Sequence, residues 1–194
     1  QALPLPESTR SWLARVRWLH AQNLQMDFPD FSEKFLLETL EKWLAPFLSQ
    51  VSRRSQLAQV DWSRALLSRL DYSQQRQLEQ LAPTQLTVPT GSCIALDYSG
   101  EQPVLAVRIQ EMFGAQETPC IAAGKIPVLV HLLSPKRSPL AVTQDLASFW
   151  QNAYKDVRKD MRGQYPKHYW PENPLEAEPT RRTKAADDRA RKRE

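Results

Sequence analysis

The strongest candidate for a charged binding surface is a basic stretch near the C-terminal end of the chain. With about 3.6 residues per turn, a helix through "YKDVRKDMR" presents four cations on one face. We call these four residues the basic ridge: Lys155, Arg158, Lys159 and Arg162. Cations at this spacing suit the phosphates of a nucleic acid, whose contacts do not depend on base sequence. They are also typical of a solvated face beside the negative end of a helix dipole.

The segment that follows, residues 164–171, combines aromatic rings with a lysine and a histidine in "QYPKHYWP". Pro166 and Pro171 are incompatible with a helix, so we predict an extended segment, which we call the strap. The rings beside Lys167 could stack on unpaired bases, with Lys167 on a phosphate. Alternatively, they pack back onto the domain, because aromatic rings bury a large apolar area. The residue types leave both hypotheses open.

Catalytic motifs are absent from the sequence. The three histidines are far apart, and the five glycines form neither a GxxxxGK[ST] nor a GxGxxG loop, so no nucleotide-binding loop is predicted. Cys93 and Cys120 lack the close spacing of a metal site and are expected to be reduced thiols. We therefore predict no catalytic, cofactor-binding or metal-binding residue in this chain.

Charge is unevenly distributed along the 194 residues. Residues 1–135 carry 12 Lys/Arg and 13 Asp/Glu, a net charge of −1, whereas residues 136–194 carry 14 and 9, a net charge of +5. A polyanionic partner should therefore meet the C-terminal third. No apolar run is long enough to span a membrane, and we expect a cytoplasmic location. Because the chain starts at Gln1 and not at methionine, we expect a piece of a longer protein.

The first part of the predicted α+β fold is a helical subdomain over residues 1–83. Apolar residues recur at helical spacing in several short segments, which indicates helices that pack on one face. Ser32, Asp61 and Ser73 stand at the predicted helix starts and are expected N-caps. This periodicity predicts packing and does not indicate a function.

The second part, residues 84–175, begins with a small and mostly antiparallel sheet. Apolar and β-branched runs on either side of "SG" predict a hairpin of about 92–98 and 103–109. The run "IPVLVHLL" predicts a third, covered strand. We thus expect a compact sheet against which a helix can pack.

A long amphipathic helix is predicted over about 144–162, capped by Thr143 and ended by Gly163. Its apolar stripe is Leu146, Phe149, Trp150, Ala153, Val157 and Met161. Asp156 and Asp160 lie to one side of the helix and can pair with cations three or four positions away. The third part, residues 176–194, has no large apolar residue, and a disordered basic tail is predicted.

Several blocks together resemble the C-terminal region of HrpB-type proteins, which are bacterial DEAH-box, ATP-dependent RNA helicases. The blocks are "LTVPTGSCIALDY", "PVLAVRIQEMFG", "LLSPKRSPLAVTQDLASFW" and "DVRKDMRGQYPKHYWPENP". They occur in the family's order over about residues 84–175. The preceding segment, "DFPDFSEKFLLETLEKWLAPFL", is similar to the family as well.

The resemblance implies a longer parent chain with two RecA-like motor domains upstream. ATP and Mg²⁺ are expected there, since this sequence has neither the Walker-type loop nor the DEAH tetrapeptide. The resemblance therefore implies a non-catalytic accessory domain. It would contact RNA through the basic ridge, Lys167 and the basic tail, and its other partners would be the upstream helicase domains. A protein-interaction module without RNA contact is the alternative, and an independent enzyme has the least support.

Overall fold

The fold is known from a computed structural model, which describes residues 5–22, 24, 28–48, 51, 53, 56–57 and 60–191. Contacts divide the chain into two compact units, Gln1–Pro83 and Thr84–Glu194. We call the first the helical unit and the second the mixed unit. The helices and small sheets make up the predicted α+β class. Within the described ranges, no helix is both long and apolar enough to cross a membrane.

The described part of the helical unit has five α-helices: α1 (Glu7–Ala21), α2 (Glu33–Glu38), α3 (Leu40–Leu44), α4 (Trp62–Leu67) and α5 (Tyr72–Leu81). Two predicted N-caps are confirmed, because Ser32 and Asp61 each accept a hydrogen bond from a backbone N–H three residues later. The third was wrong, since Asp71, not Ser73, caps α5. Asp71 forms a capping box with Gln74, in which each side chain accepts from the other's backbone N–H.

One charged group lies in the core of the helical unit. Arg15 on α1 is 4% exposed. Its guanidinium donates to the carbonyl oxygens of Ala82 and Leu78, the latter at 3.1 Å. It also pairs with Glu79 at 2.8 Å. The Leu78 carbonyl oxygen also accepts from the Ala82 N–H, whereas that of Ala82 lies past the helix end. The arginine thus supplies a donor to the end of α5 and ties it to α1.

The mixed unit contains the remaining elements: β1 (Gln85–Thr87), β2 (Cys93–Asp97), β3 (Val104–Arg108), β4 (Cys120–Ile121), β5 (Ile126–Pro127), β6 (Leu129–Leu133), β7 (Pro139–Thr143), α6 (Leu146–Gln151), α7 (Tyr154–Gln164) and α8 (Lys184–Arg191). Five strands form one sheet in the order β1-β2-β3-β6-β7, and β4 pairs with β5. The predicted hairpin is confirmed as β2 and β3, and the predicted third strand as β6. Strand β7 was not predicted.

The five-stranded sheet is mostly antiparallel, as predicted, with one parallel pair between β3 and β6. Parallel neighbours need a crossover connection. Here the crossover contains a 3-10 turn over Ile109–Met112 and the β4–β5 hairpin. All four residues of that turn are buried, including the polar Gln110 and Glu111. The crossover therefore brings two polar side chains into the interior of the unit.

The predicted long helix is two helices, α6 and α7. Asn152 stands at the break, where its backbone N–H and its side-chain amide both donate to the Ser148 carbonyl oxygen at 3.0 Å. After this break, α7 starts in a different rotational register. Tyr154 is 1% exposed, whereas Ala153, which was predicted to face the core, is exposed. The sequence stripe was therefore wrong at Ala153.

Both predicted ends of this helical stretch also need correction. Asp145, not Thr143, caps α6 through a hydrogen bond from the Ser148 N–H at 2.8 Å. At the other end, Gly163 lies inside the last turn of α7 and has no positive φ. The helix stops at Tyr165 because a residue before proline avoids the α conformation.

The predicted disordered tail has a defined path through residue 191, which is a further correction. The Thr180 N–H donates to the Gln110 carbonyl oxygen, and the Lys184 N–H donates to that of Lys167, both at 3.0 Å. Helix α8 follows. The lack of large apolar residues suggested disorder, but backbone hydrogen bonds to the buried crossover and to the strap hold this segment. Residues 192–194 lie outside the described residues.

Candidate nucleic-acid interface

The strap packs onto the mixed unit through its tryptophan. Trp170 is 5% exposed, and its indole N–H donates to the Tyr165 carbonyl oxygen at 3.1 Å. The next residue, Pro171, accepts a hydrogen bond at its carbonyl oxygen from the Tyr154 hydroxyl at 2.9 Å. These contacts favour the structural hypothesis for this part of the strap, since a buried indole cannot stack on a base.

Tyr154 joins the strap to the aromatic centre of the mixed unit. Its ring centroid lies 6.2 Å from that of Phe113 and 5.4 Å from that of Trp150, in edge-to-face geometry. Such geometry is favourable for aromatic pairs. Burial raises the pKa of the Tyr154 phenol well above its ordinary value. The hydroxyl therefore stays protonated and remains a donor to the strap.

Arg158 differs from the other members of the basic ridge because it already has partners. Its Nε donates to the Trp170 carbonyl oxygen at 3.1 Å, and its Nη2 lies 3.0 Å from a carboxylate oxygen of Glu172. The side chain is 22% exposed. The guanidinium thus fixes the strap to α7, which is a positioning role.

The other three ridge residues form an exposed face, which we call the open ridge: Lys155, Lys159 and Arg162. They lie four and three positions apart on α7, so they share one side of the helix. The predicted ion pairs with Asp156 and Asp160 do not form among the described residues. The open ridge is therefore a continuous cationic surface toward solvent.

Lys167 and Tyr169 are the exposed members of the strap. The Lys167 side chain is exposed, while its carbonyl oxygen accepts a hydrogen bond from the Lys184 N–H at 3.0 Å. Tyr169 is 41% exposed. The stacking hypothesis thus has an available ring at Tyr169, one residue from the buried Trp170.

A second basic site, which the sequence did not suggest, lies where the tail crosses the 3-10 turn. We call it the arginine cleft, and it is lined by Arg108, Gln110, Pro135, His168, Thr180, Arg181 and Arg182. Burial, followed by the positive charge of Arg108, lowers the pKa of His168. These residues come from four separate segments, so no local spacing could have revealed the site. The adjacent arginines of the tail, Arg181 and Arg182, are the one feature of the sequence that could have indicated this cleft.

The described residues contain no group of three or more His, Cys, Asp or Glu side chains that could hold a metal ion. Cys93 and Cys120 are exposed and not joined by a disulfide in the described residues. Neither a Walker-type loop nor an acidic metal cluster is available in these ranges, so the residues present do not fit ATP with Mg²⁺.

Comparison with known proteins assigns the class of this fold. The family model described as "ATP-dependent helicase C-terminal" matches residues 43–174. The chain belongs to this HrpB family of ATP-dependent helicases, as a C-terminal region.

Known members of the family are similar to this chain in both sequence and structure. The ATP-dependent RNA helicase HrpB of Escherichia coli (strain K12) is 44% identical over 173 residues, which cover 89% of this chain and 21% of that protein. A crystal structure of the E. coli DExH-box NTPase HrpB matches this chain with a TM-score of 0.85 and 40% identity. The match covers 92% of this chain and 22% of the chain in that crystal structure. A second crystal structure, that of the Escherichia coli DEAH/RHA helicase HrpB, matches with a TM-score of 0.69 and 40% identity. The match covers 85% of this chain and 21% of the chain in that crystal structure. This chain spans about a fifth of the length of the curated relative.

Proposed function

We propose that this chain is a non-catalytic accessory domain of a cytoplasmic, ATP-dependent RNA helicase, and that it contacts RNA phosphates while it positions the motor. The observation that carries the RNA contact is the open ridge: Lys155, Lys159 and Arg162 are exposed and without ion pairs among the described residues. Lys167 extends the basic surface into the strap. Cations that are free of carboxylate partners can replace the counterions of a polyanion.

ATP hydrolysis belongs, in this proposal, to motor domains upstream of the chain. The relative of E. coli is named an ATP-dependent RNA helicase, and this chain matches about a fifth of it. ATP and Mg²⁺ would bind to those domains, and the upstream domains would be the protein partners of this one. Its own contribution would be binding energy and orientation, not chemistry.

The test is binding to a single-stranded RNA oligomer, measured by fluorescence anisotropy across a salt titration. The triple variant Lys155→Gln/Lys159→Gln/Arg162→Gln should bind more weakly, and its log–log salt slope should be less steep by about two, because each phosphate contact on a single strand contributes about 0.7. Adding Arg158→Gln should change the slope little, because Arg158 is engaged with the strap.

A charge-matched control separates the ridge from overall charge. The variant Lys34→Gln/Lys42→Gln/Arg53→Gln removes three exposed cations from the helical unit. It should retain the wild-type salt slope. An equal loss in the two triple variants would mean that general charge, and not the open ridge, binds RNA.

A second candidate function, protein interaction without RNA contact, is favoured by an apolar groove in the helical unit. The groove has a volume of about 460 Å³ and is lined in part by Trp12, Leu67 and Tyr72. Tyr72 is 75% exposed and Leu67 is 37% exposed, which is unusual for large apolar side chains grouped in one place. If this function is correct, Tyr72→Ser should abolish capture of a partner protein that survives RNase treatment.

A further inference from the structure

We propose that the arginine cleft binds a phosphate group, with Arg108 and the Gln110 side-chain amide at its base and Arg181 and Arg182 at its rim. The cleft lies entirely within the mixed unit. It has no room for a water molecule as it stands, so a phosphate would bind once the exposed Arg181 and Arg182 side chains at the rim move apart. The cleft is separate from the open ridge and uses different residues. The inference therefore stands whether or not the ridge contacts RNA.

The first observation is an unsatisfied amide. Gln110 is 3% exposed, and its Nε2 has no hydrogen-bond partner in the part of the chain that the structure describes. A buried amide without an acceptor destabilises the folded chain. An oxyanion in the cleft would supply the missing acceptor. This glutamine is thus better explained by a ligand than by packing.

The second observation concerns Arg108. Its buried Nε also has no hydrogen-bond partner among the described residues. Its nearest carboxylate oxygen, on Glu111, is 3.9 Å away and so beyond hydrogen-bond distance. The other oxygen of Glu111 accepts hydrogen bonds from Ser92 at 3.0 Å and Thr90 at 3.3 Å. Glu111 therefore offsets part of the charge of Arg108 but leaves its N–H available to a ligand.

The third observation is that the tail is held so as to add two more guanidinium groups. The Thr180 N–H donates to the Gln110 carbonyl oxygen at 3.0 Å, and the Thr180 hydroxyl oxygen accepts from the Arg182 N–H at 3.0 Å. These bonds set Arg181 and Arg182 at the cleft, where both side chains are exposed. Guanidinium groups match the oxygens of a phosphate in geometry as well as in charge.

The test is a titration of the chain with inorganic phosphate at constant ionic strength, followed by NMR. We expect saturable shifts of the Gln110 side-chain amide and of the His168 ring. The variant Arg181→Gln/Arg182→Gln should bind at least about tenfold more weakly, since charge-assisted hydrogen bonds are lost. The charge-matched variant Lys34→Gln/Lys42→Gln, which removes two exposed cations of the helical unit, should stay within about twofold of wild type, because exposed charges at a distance are screened.

A variant at the base separates binding from structure. In Gln110→Met, the unpartnered amide is replaced by an apolar side chain of similar size, so thermal stability should be equal or higher while phosphate affinity falls. Loss of stability without loss of phosphate affinity would overturn the proposal. So would a titration without saturable shifts, or an equal loss in the two double variants.

The source of the phosphate is distinguished by a parallel titration with a single-stranded RNA oligomer. Shifts of Gln110 at RNA concentrations far below those needed for inorganic phosphate would assign the cleft to phosphates of RNA. Shifts with inorganic phosphate alone would assign it to a free phosphate or a small phosphorylated ligand. Absence of shifts in both titrations would contradict the proposal.

Discussion

Replacing Trp170 with alanine should lower the free energy of unfolding of the mixed unit by about 3–5 kcal/mol, the usual cost of deleting a large buried aromatic side chain. The indole is 5% exposed and donates to the Tyr165 carbonyl oxygen. The backbone carbonyl oxygen of Trp170 accepts a hydrogen bond from Arg158. The variant therefore leaves a cavity and loosens the strap on α7. Urea unfolding followed by near-ultraviolet circular dichroism measures the loss.

The adjacent tyrosine provides the control for this prediction. Tyr169 is 41% exposed, so Tyr169→Ala should change stability by no more than about 0.5 kcal/mol. Hydrogen exchange of the α7 amides should be faster in Trp170→Ala and unchanged in Tyr169→Ala. Equal stability of both variants would show that the strap does not contribute to the core.

Replacing Arg15 with leucine should destabilise the helical unit by about 3 kcal/mol. Leucine fills part of the space but donates no hydrogen bond. The carbonyl oxygen of Ala82, a residue that is fully buried, then loses the donor that the guanidinium supplies. The carboxylate of Glu79 loses its partner too, although it is largely exposed and water can replace that contact. Thermal unfolding followed by the helical circular dichroism signal measures the effect.

Arg10 on the same helix is the matched control. Its side chain is 59% exposed and pairs with Glu7 on the surface. Arg10→Leu should therefore shift stability by no more than about 0.5 kcal/mol, since exposed ion pairs contribute little. If Arg10→Leu cost as much as Arg15→Leu, the buried hydrogen bonds would not be the source of the stabilisation.

Local patterns in the sequence were sufficient for most elements but not for the break between α6 and α7. Apolar periodicity predicted the helices of the helical unit, and turn residues predicted the β2–β3 hairpin. At the break, the Asn152 side chain hydrogen-bonds to Ser148. A helical wheel with a constant period of about 3.6 residues per turn cannot represent a break between two helices. It therefore placed Ala153 on the buried face, where the structure has Tyr154.

Contacts between segments that are far apart in the chain could not be predicted from local sequence patterns either. Its spacing on a helix placed Arg158 in the basic ridge with three exposed cations. However, its partners, the Trp170 carbonyl oxygen and Glu172, lie 12 and 14 positions further along the chain, outside any helix or strand. The tail is held by backbone hydrogen bonds to the carbonyl oxygens of Gln110 and Lys167, which side-chain hydrophobicity cannot predict. The arginine cleft arises from that same docking and could not be predicted.

Chemical-shift mapping of the isotope-labelled chain with a single-stranded RNA oligomer tests the RNA contact most directly. We expect the largest perturbations at the open ridge, that is, at Lys155, Lys159 and Arg162, with smaller ones at Lys167, and all of them should diminish as salt is raised. The apolar groove around Tyr72 should be unaffected. Perturbations confined to that groove, or none at all at low salt, would contradict an RNA-contacting domain and favour a role in protein docking.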